Sequence, residues 1–305
     1  MAAENKERMA LLVGCGIALA IIVFAALANY SGNSSSVRSI YTNLLEKKKV
    51  LEHLRSDLFE SVEMEKTAVM ALNDQESWKF ADQSRAAAAR VEANLGTLRT
   101  LIAARSVPTE KALLEEFAGC WSELSKIDQR ILPLAVENTN LKAAQLSREQ
   151  GGASMQRFEQ ALESLRLAAA GKEHQQQIDD ESSRALIAGL KLFNLQSPHI
   201  AEAADTGMDA LETRMQAERE IVLRSLARLG TFVDTENDTP LSRAHAAFTD
   251  FLAVNDQVVR LSRLNSNIKS LELSMGRKRL LVATCTDALA TLQESMLTNI
   301  SKATK

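Results

Sequence analysis

The stretch Glu137-Asn138-Thr139-Asn140-Leu141-Lys142-Ala143-Ala144-Gln145-Leu146-Ser147 returns without a gap, 127 positions later, as Leu264-Asn265-Ser266-Asn267-Ile268-Lys269-Ser270-Leu271-Glu272-Leu273-Ser274. Upstream the apolar phase is kept: Trp121, Leu124, Ile127, Ile131 and Leu134 fall on Phe248, Phe251, Val254, Val258 and Leu261. Downstream, Phe158, Leu162, Leu165 and Ala169 fall on Cys285, Leu289, Leu292 and Met296. A helix, a Gly-containing turn and part of a second helix are therefore expected twice, as a duplicated folding unit.

Ala, Leu, Glu, Gln, Lys and Arg dominate, and aromatics make up only 4% of the 305 residues. That is the composition of long helices, so the chain reads as all-α. The length suits two modest domains, and a net charge of -3 argues against nucleic-acid binding, which usually shows a basic face.

From Met9 to Ala28 no charge interrupts the apolar run MALLVGCGIALAIIVFAALA, about the ~20 residues that cross a ~30 Å hydrocarbon core. Lys6 and Arg8 precede it and no Lys or Arg follows before Arg38, which places the N-terminus in the cytoplasm. Ala26-Leu27-Ala28 also fits a signal-peptide cleavage site, but the run exceeds the usual ~7–15 residue signal core. The expectation is a cytoplasmic N-terminus at 1–8, an uncleaved anchor at 9–29, a Ser/Gly/Asn linker at 30–36 and an extracytoplasmic remainder on the inner membrane. Of three Cys, Cys15 lies in the anchor, and Cys120 and Cys285 could pair only by bridging the repeats. Buried thiols and no essential disulfide are expected.

Leu51, Leu54, Leu58, Val62, Val69 and Leu72 mark one face of a long first helix ending near Asn73-Asp74. A second follows over 77–105, and a third runs from an N-cap at Thr109 to about Arg148 with a kink at Pro133. Gly151-Gly152 reads as a turn before a fourth helix from Ser154, which could continue past Gly171 towards Phe193 and join both units. Helices from Pro198 to about 229, from 241 to 274 and from 278 to 299 complete the second set. The economical architecture is an N-terminal transmembrane helix followed by two tandem up-and-down four-helix bundles, at 37–172 and 173–302.

With these elements in place the sequence resembles the extracytoplasmic four-helix-bundle sensory domain of bacterial methyl-accepting chemotaxis receptors. The residues that carry the resemblance are the anchor leading into the first helix, Glu65-Lys66 with Leu72-Asn73-Asp74, the stretch from Phe117 to Trp121, and Leu134 to Ser147. It covers about 37–170, with a weaker copy over 175–300, and it implies a four-helix bundle, sensory ligand binding and signal transduction. No second apolar span and no cytoplasmic methylation hairpin follow within these residues. Output is therefore expected through another membrane protein or dimerised anchors.

Asn138 and Asn265 sit in apolar seams, where a buried Asn costs stability but selects register and must find hydrogen-bond partners. As candidate ligand sites, Asn138 with Lys142 and Asn265 with Lys269 could receive a small anion, Lys supplying charge and Asn directional bonds. Glu65 interrupts the first helix's stripe between Val62 and Val69, opposite Leu186 in the second unit; it could meet a basic ligand or a salt-bridge partner. Trp121 matches Phe248 and reads as core.

No catalytic residue, metal site or cofactor motif is recognised: the four His are dispersed, none in a Glu-x-x-His pair, and no haem, phosphate-loop or dinucleotide signature occurs. A non-enzymatic, membrane-anchored extracytoplasmic sensory protein is expected. Its partners would be the membrane, a small-molecule ligand or binding protein, and a second copy or a membrane signalling protein. The alternative is an anchored structural or scaffolding bundle without a small ligand.

Overall fold

The computed structural model describes residues 34–104, 107–233 and 239–303. All regular structure in them is helical: α1 (Ser34–Met70), α2 (Asp74–Ala103), α3 (Pro108–Glu137), α4 (Thr139–Leu146), α5 (Gly152–Ala169), α6 (Gln175–Asn194), α7 (Gln196–Ala201), α8 (Asp205–Leu229), α9 (Pro240–Leu264), α10 (Ser266–Leu273) and α11 (Arg279–Ala303). The expected anchor at 9–29 lies outside the described residues; among those described, no helix is long and apolar enough to cross a membrane. Helix α1 already begins at Ser34, inside the stretch read as a linker.

Local chemistry accounts for the helix starts. Asn73 Oδ1 accepts from the Glu76 amide at 2.9 Å, with Asp74 and Glu76 in the first turn of α2, so that helix starts three residues before the expected Ser77. Pro108, not Thr109, opens α3, its missing N–H being harmless at that position. Thr239 caps α9 by accepting from the Ser242 amide at 3.2 Å, again with Pro in the first turn.

Two compact units result, each drawing on distant parts of the chain. The first combines α1 up to Glu65, α2 from Asp82, α3 up to Asp128 and the chain from Gly276. Its core packs Leu54, Leu58, Leu98, Phe117, Trp121 and Leu124 against Cys285, Leu289 and Leu292 of α11. The second comprises 66–81 and 129–275, with a core built by α5, α6, α8 and α9. Phe158 and Phe248 lie 5.3 Å apart there, and Phe248 and Phe251 6.0 Å apart.

These units replace the expected contiguous bundles at 37–172 and 173–302: α11 supplies the fourth helix of the first unit, and α5 belongs to the second. The expected turn at Gly151-Gly152 is absent. Ser147–Gly151 forms a π-helical turn with Gly151 at φ -61 and Gly152 at φ -59, so the chain stays helical from Thr139 to Ala169 instead of folding back along α3. A Cβ at Gly151 would make only ordinary contacts, 3.4 Å from the Phe193 ring and 3.5 Å from Gln196, so neither space nor backbone demands a glycine there. The second copy passes through a matching π-helical turn, Ser274–Lys278, with Gly276 non-helical at φ -90, ψ -107.

This arrangement overturns the expectation for the cysteines. Cys120 of α3 and Cys285 of α11 are disulfide-bonded, with Cα atoms 5.6 Å apart. The expectation of a buried thiol rested on the core position of Cys285 in the repeat; that residue is fully buried, but it is bonded to Cys120.

Candidate functional site

The long third helix expected from the sequence breaks at Asn138, which adopts the left-handed conformation (φ 51, ψ 38). Asn265 does the same between α9 and α10 (φ 56, ψ 35). Asn tolerates this region better than most residues with a side chain. Each break creates a new helix N-terminus, and its orphan amides need acceptors. The other copy of the motif supplies them. Thr139 N donates to Ser266 Oγ and Ser266 N to Thr139 Oγ1, both at 3.0 Å. Asn140 N donates to Asn267 Oδ1 at 3.1 Å, and Asn267 N to Asn140 Oδ1 at 3.2 Å. The two repeats therefore cap each other reciprocally, a side-chain capping normally made within one chain segment.

The amides of the buried Asn138 and Asn265 complete this clasp. Asn138 Nδ2 donates to Asp74 Oδ1 and Ser77 Oγ, each at 2.9 Å, and Asn138 Oδ1 accepts from Asn267 Nδ2 at 3.0 Å. Asn265 Nδ2 donates to the Glu202 carbonyl at 2.9 Å, and its Oδ1 accepts from Asn140 Nδ2 at 2.8 Å. Lys142 Nζ donates back to the Glu137 carbonyl at 2.8 Å, and Lys269 Nζ to that of Leu264 at 2.9 Å. Each ammonium thus closes the C-terminus of the helix that has just ended. Lys142 also lies 3.2 Å from Asp74, both half-exposed. The structure brings Asn138 and Lys142, and Asn265 and Lys269, to one region, with these donors and acceptors engaged by the protein itself.

Glu65 lies in the first unit, fully buried, in an ionic layer. Lys278 Nζ, itself buried, is 2.6 Å from Glu65 Oε2 and 2.6 Å from Asp128 Oδ1. The contact to Asp128 is ionic rather than a directed hydrogen bond. Burial pushes the Asp128 carboxyl up to about 6, against the pull of Lys278 and with a further push from Glu65. The buried positions of α1 at Leu51, Leu54, Leu58, Ser61, Glu65 and Ala68 recur as Ser182, Ala185, Gly189, Leu192, Gln196 and His199. Glu65 therefore corresponds to Gln196 rather than to Leu186. Around Gln196 the charged layer becomes a neutral one: Gln196 Nε2 donates to Asn255 Oδ1 at 2.9 Å, and Ser147 Oγ donates to Gln196 Oε1 at 2.6 Å. Asn255 is the repeat partner of Asp128.

Sequence reasoning passed over Thr139, Asn140, Ser266 and Asn267, although the doubled Asn-Thr/Ser-Asn triplet was their visible signal. It also passed over His199. That fully buried ring places Nδ1 2.8 Å from Ser262 Oγ and Nε2 2.9 Å from Glu212 Oε1. Hydrogen bonding from Arg263 holds the Glu212 carboxyl below its ordinary range, with His199 helping and burial opposing. Ser262 is fully buried too and donates to the His199 carbonyl at 2.8 Å, which gives this trio the geometry of a clamp between α7, α8 and α9.

Helices in bundled units, buried polar layers and a helix break at each repeat define a helical-bundle module. The family described as "four helix bundle sensory module for signal transduction" matches residues 6–182. The chain belongs to this family. The match agrees with the resemblance to chemotaxis-receptor sensory domains read from the sequence. A search of curated proteins returns no match.

Proposed function

We propose that the chain is the extracytoplasmic input part of a membrane-anchored receptor-type protein, held by the apolar segment at 9–29 with residues 1–8 in the cytoplasm. The family assignment carries the sensory reading. The Cys120–Cys285 bond supports the placement, because structural disulfides persist in oxidising compartments and are rare in the cytosol. A small molecule or a ligand-loaded binding protein would favour one helix packing over another, and only a difference in affinity between the two packings moves that equilibrium. Output would run through a dimer of anchors or a partner membrane protein. No enzymatic activity, cofactor or nucleic-acid partner belongs to this proposal.

The test is a thermal-shift screen of the purified protein against amino acids, organic acids, polyamines and purines, followed by calorimetry. A saturable shift is expected; none across a broad panel would remove the small-molecule reading. An alkaline phosphatase fusion at residue 305 should be active if the bulk of the chain is exported, and inactivity would contradict that placement. One observation favours a second reading, an anchored scaffold without a ligand: the amides of Asn138 and Asn265 are satisfied internally.

A further inference from the structure

Helices α6 and α8 of the second unit run antiparallel, as the pairs Lys191–Glu218 and Glu181–Arg228 show. An open groove of about 620 Å³ follows their outer seam. Ile187 of α6 and Ile221 of α8 line its middle, and Ile187 is 55% exposed. Arg184 and Arg224 stand on opposite walls on one side of these isoleucines, and Lys191 stands on the other. Arg184 and Lys191 are seven residues apart on one helix, which corresponds to about 10 Å along its axis.

The cations in the groove differ in how they are used. Arg228 donates to Glu181 at 2.8 Å, and Ser225 does the same. Burial alone would raise the Glu181 carboxyl, but these bonds and the charge of Arg184 outweigh it and hold it below its ordinary range. By contrast, Arg184 is 3.7 Å from Glu181, Arg224 3.8 Å from Glu220 and Lys191 3.9 Å from Glu218, all beyond hydrogen-bonding distance. All three line the groove ion-paired with these carboxylates but without a hydrogen bond to them. Two guanidiniums on facing walls suit the planar, bidentate geometry of a carboxylate. Exposed isoleucine beside them suits an apolar body, and Glu218, on the Lys191 side, disfavours a second anionic end there.

We infer that the α6–α8 groove is a binding site for an organic monocarboxylate with an apolar body, its head between Arg184 and Arg224 and its body over Ile187 and Ile221. This inference rests on the sensory reading and names the ligand class and site for it. The probe is 3-phenylpropionate, titrated by calorimetry into the full chain in nanodiscs, beside acetate and 3-phenylpropanamide. Saturable binding of 3-phenylpropionate is expected, at least tenfold tighter than acetate, which lacks the body, and than the amide, which lacks the charge. The R184Q/R224Q double variant alters two exposed side chains and should keep the helical circular-dichroism spectrum while weakening binding at least tenfold. I187D, at the apolar floor, should weaken it as well. Binding that is absent, as tight for the amide, or unchanged in R184Q/R224Q overturns the inference. If 3-phenylpropionate fails while another compound of the broad panel binds, the groove is wrong and the sensory reading stands. If nothing binds, both small-molecule statements fall.

Discussion

Asn138 and Asn265 do two jobs that no other common side chain combines. Each accepts a positive φ and carries an amide that bonds in both directions inside the protein. Asn138→Ala should cost about 2–5 kcal/mol, from about 1–2 for the left-handed backbone and about 1–3 for buried partners left unsatisfied. Asn138→Gly removes the backbone part and should recover about 1–2 kcal/mol of that loss in urea denaturation. Equal losses for the two variants would contradict the conformational half of the explanation. In the ionic layer, the Asp128 carboxyl titrates at about 6 in the folded protein against an ordinary 3.8. A raised carboxyl binds its proton more tightly in the folded state. Through this group, stability is therefore highest below about pH 4 and falls as pH rises towards 6, by about 3 kcal/mol in total. Asp128→Asn should flatten that part of the stability–pH curve, and an unchanged slope would remove Asp128 as its source.

Helix α6 approaches α5 closely because residue 189 has no side chain: a Cβ there would sit 3.0 Å from Met155 Cε and 3.2 Å from the Phe158 ring. Gly189→Val should destabilise by about 1–3 kcal/mol through overpacking. Gly96→Ala, at an exposed helical position where a Cβ meets nothing within 4 Å, should stabilise by about 0.5–1 kcal/mol. Chemical denaturation of both variants checks the contrast, and a neutral Gly189→Val would contradict the close packing. Glycine is also where sequence reading erred. The repeat, the helical stripes and the seam Asn residues were legible because period and residue type carry them. Gly151-Gly152 reads as a turn by the same rules, yet both keep helical backbone (φ -61 and φ -59), because the course of the chain is set by packing of α5 into the second unit's core and not by the dipeptide. The groove arginines were illegible for a related reason. On one helix they look like solvated surface, and only the antiparallel pairing of α6 and α8 assembles them.

Each repeat gives one helix to each unit: α3 and α11 join the first, α9 and α5 the second. Neither unit is then complete without both copies, although the family match ends at residue 182. A chain stopped before Gly276 loses Cys285, Leu289, Leu292 and Met296 from the first core. In hydrogen exchange, residues 41–65, 82–104 and 107–128 should lose protection while α5, α6, α8 and α9 retain theirs. Equal protection throughout would contradict the assignment of α11. The most direct measurement of the exchanged arrangement is a peptide map of unreduced protein taken from membranes after blocking free thiols. The account expects a disulfide-linked pair of peptides carrying Cys120 and Cys285. Recovery of both as separately alkylated thiols would contradict the pairing of α3 with α11 and would withdraw its support for an oxidising compartment.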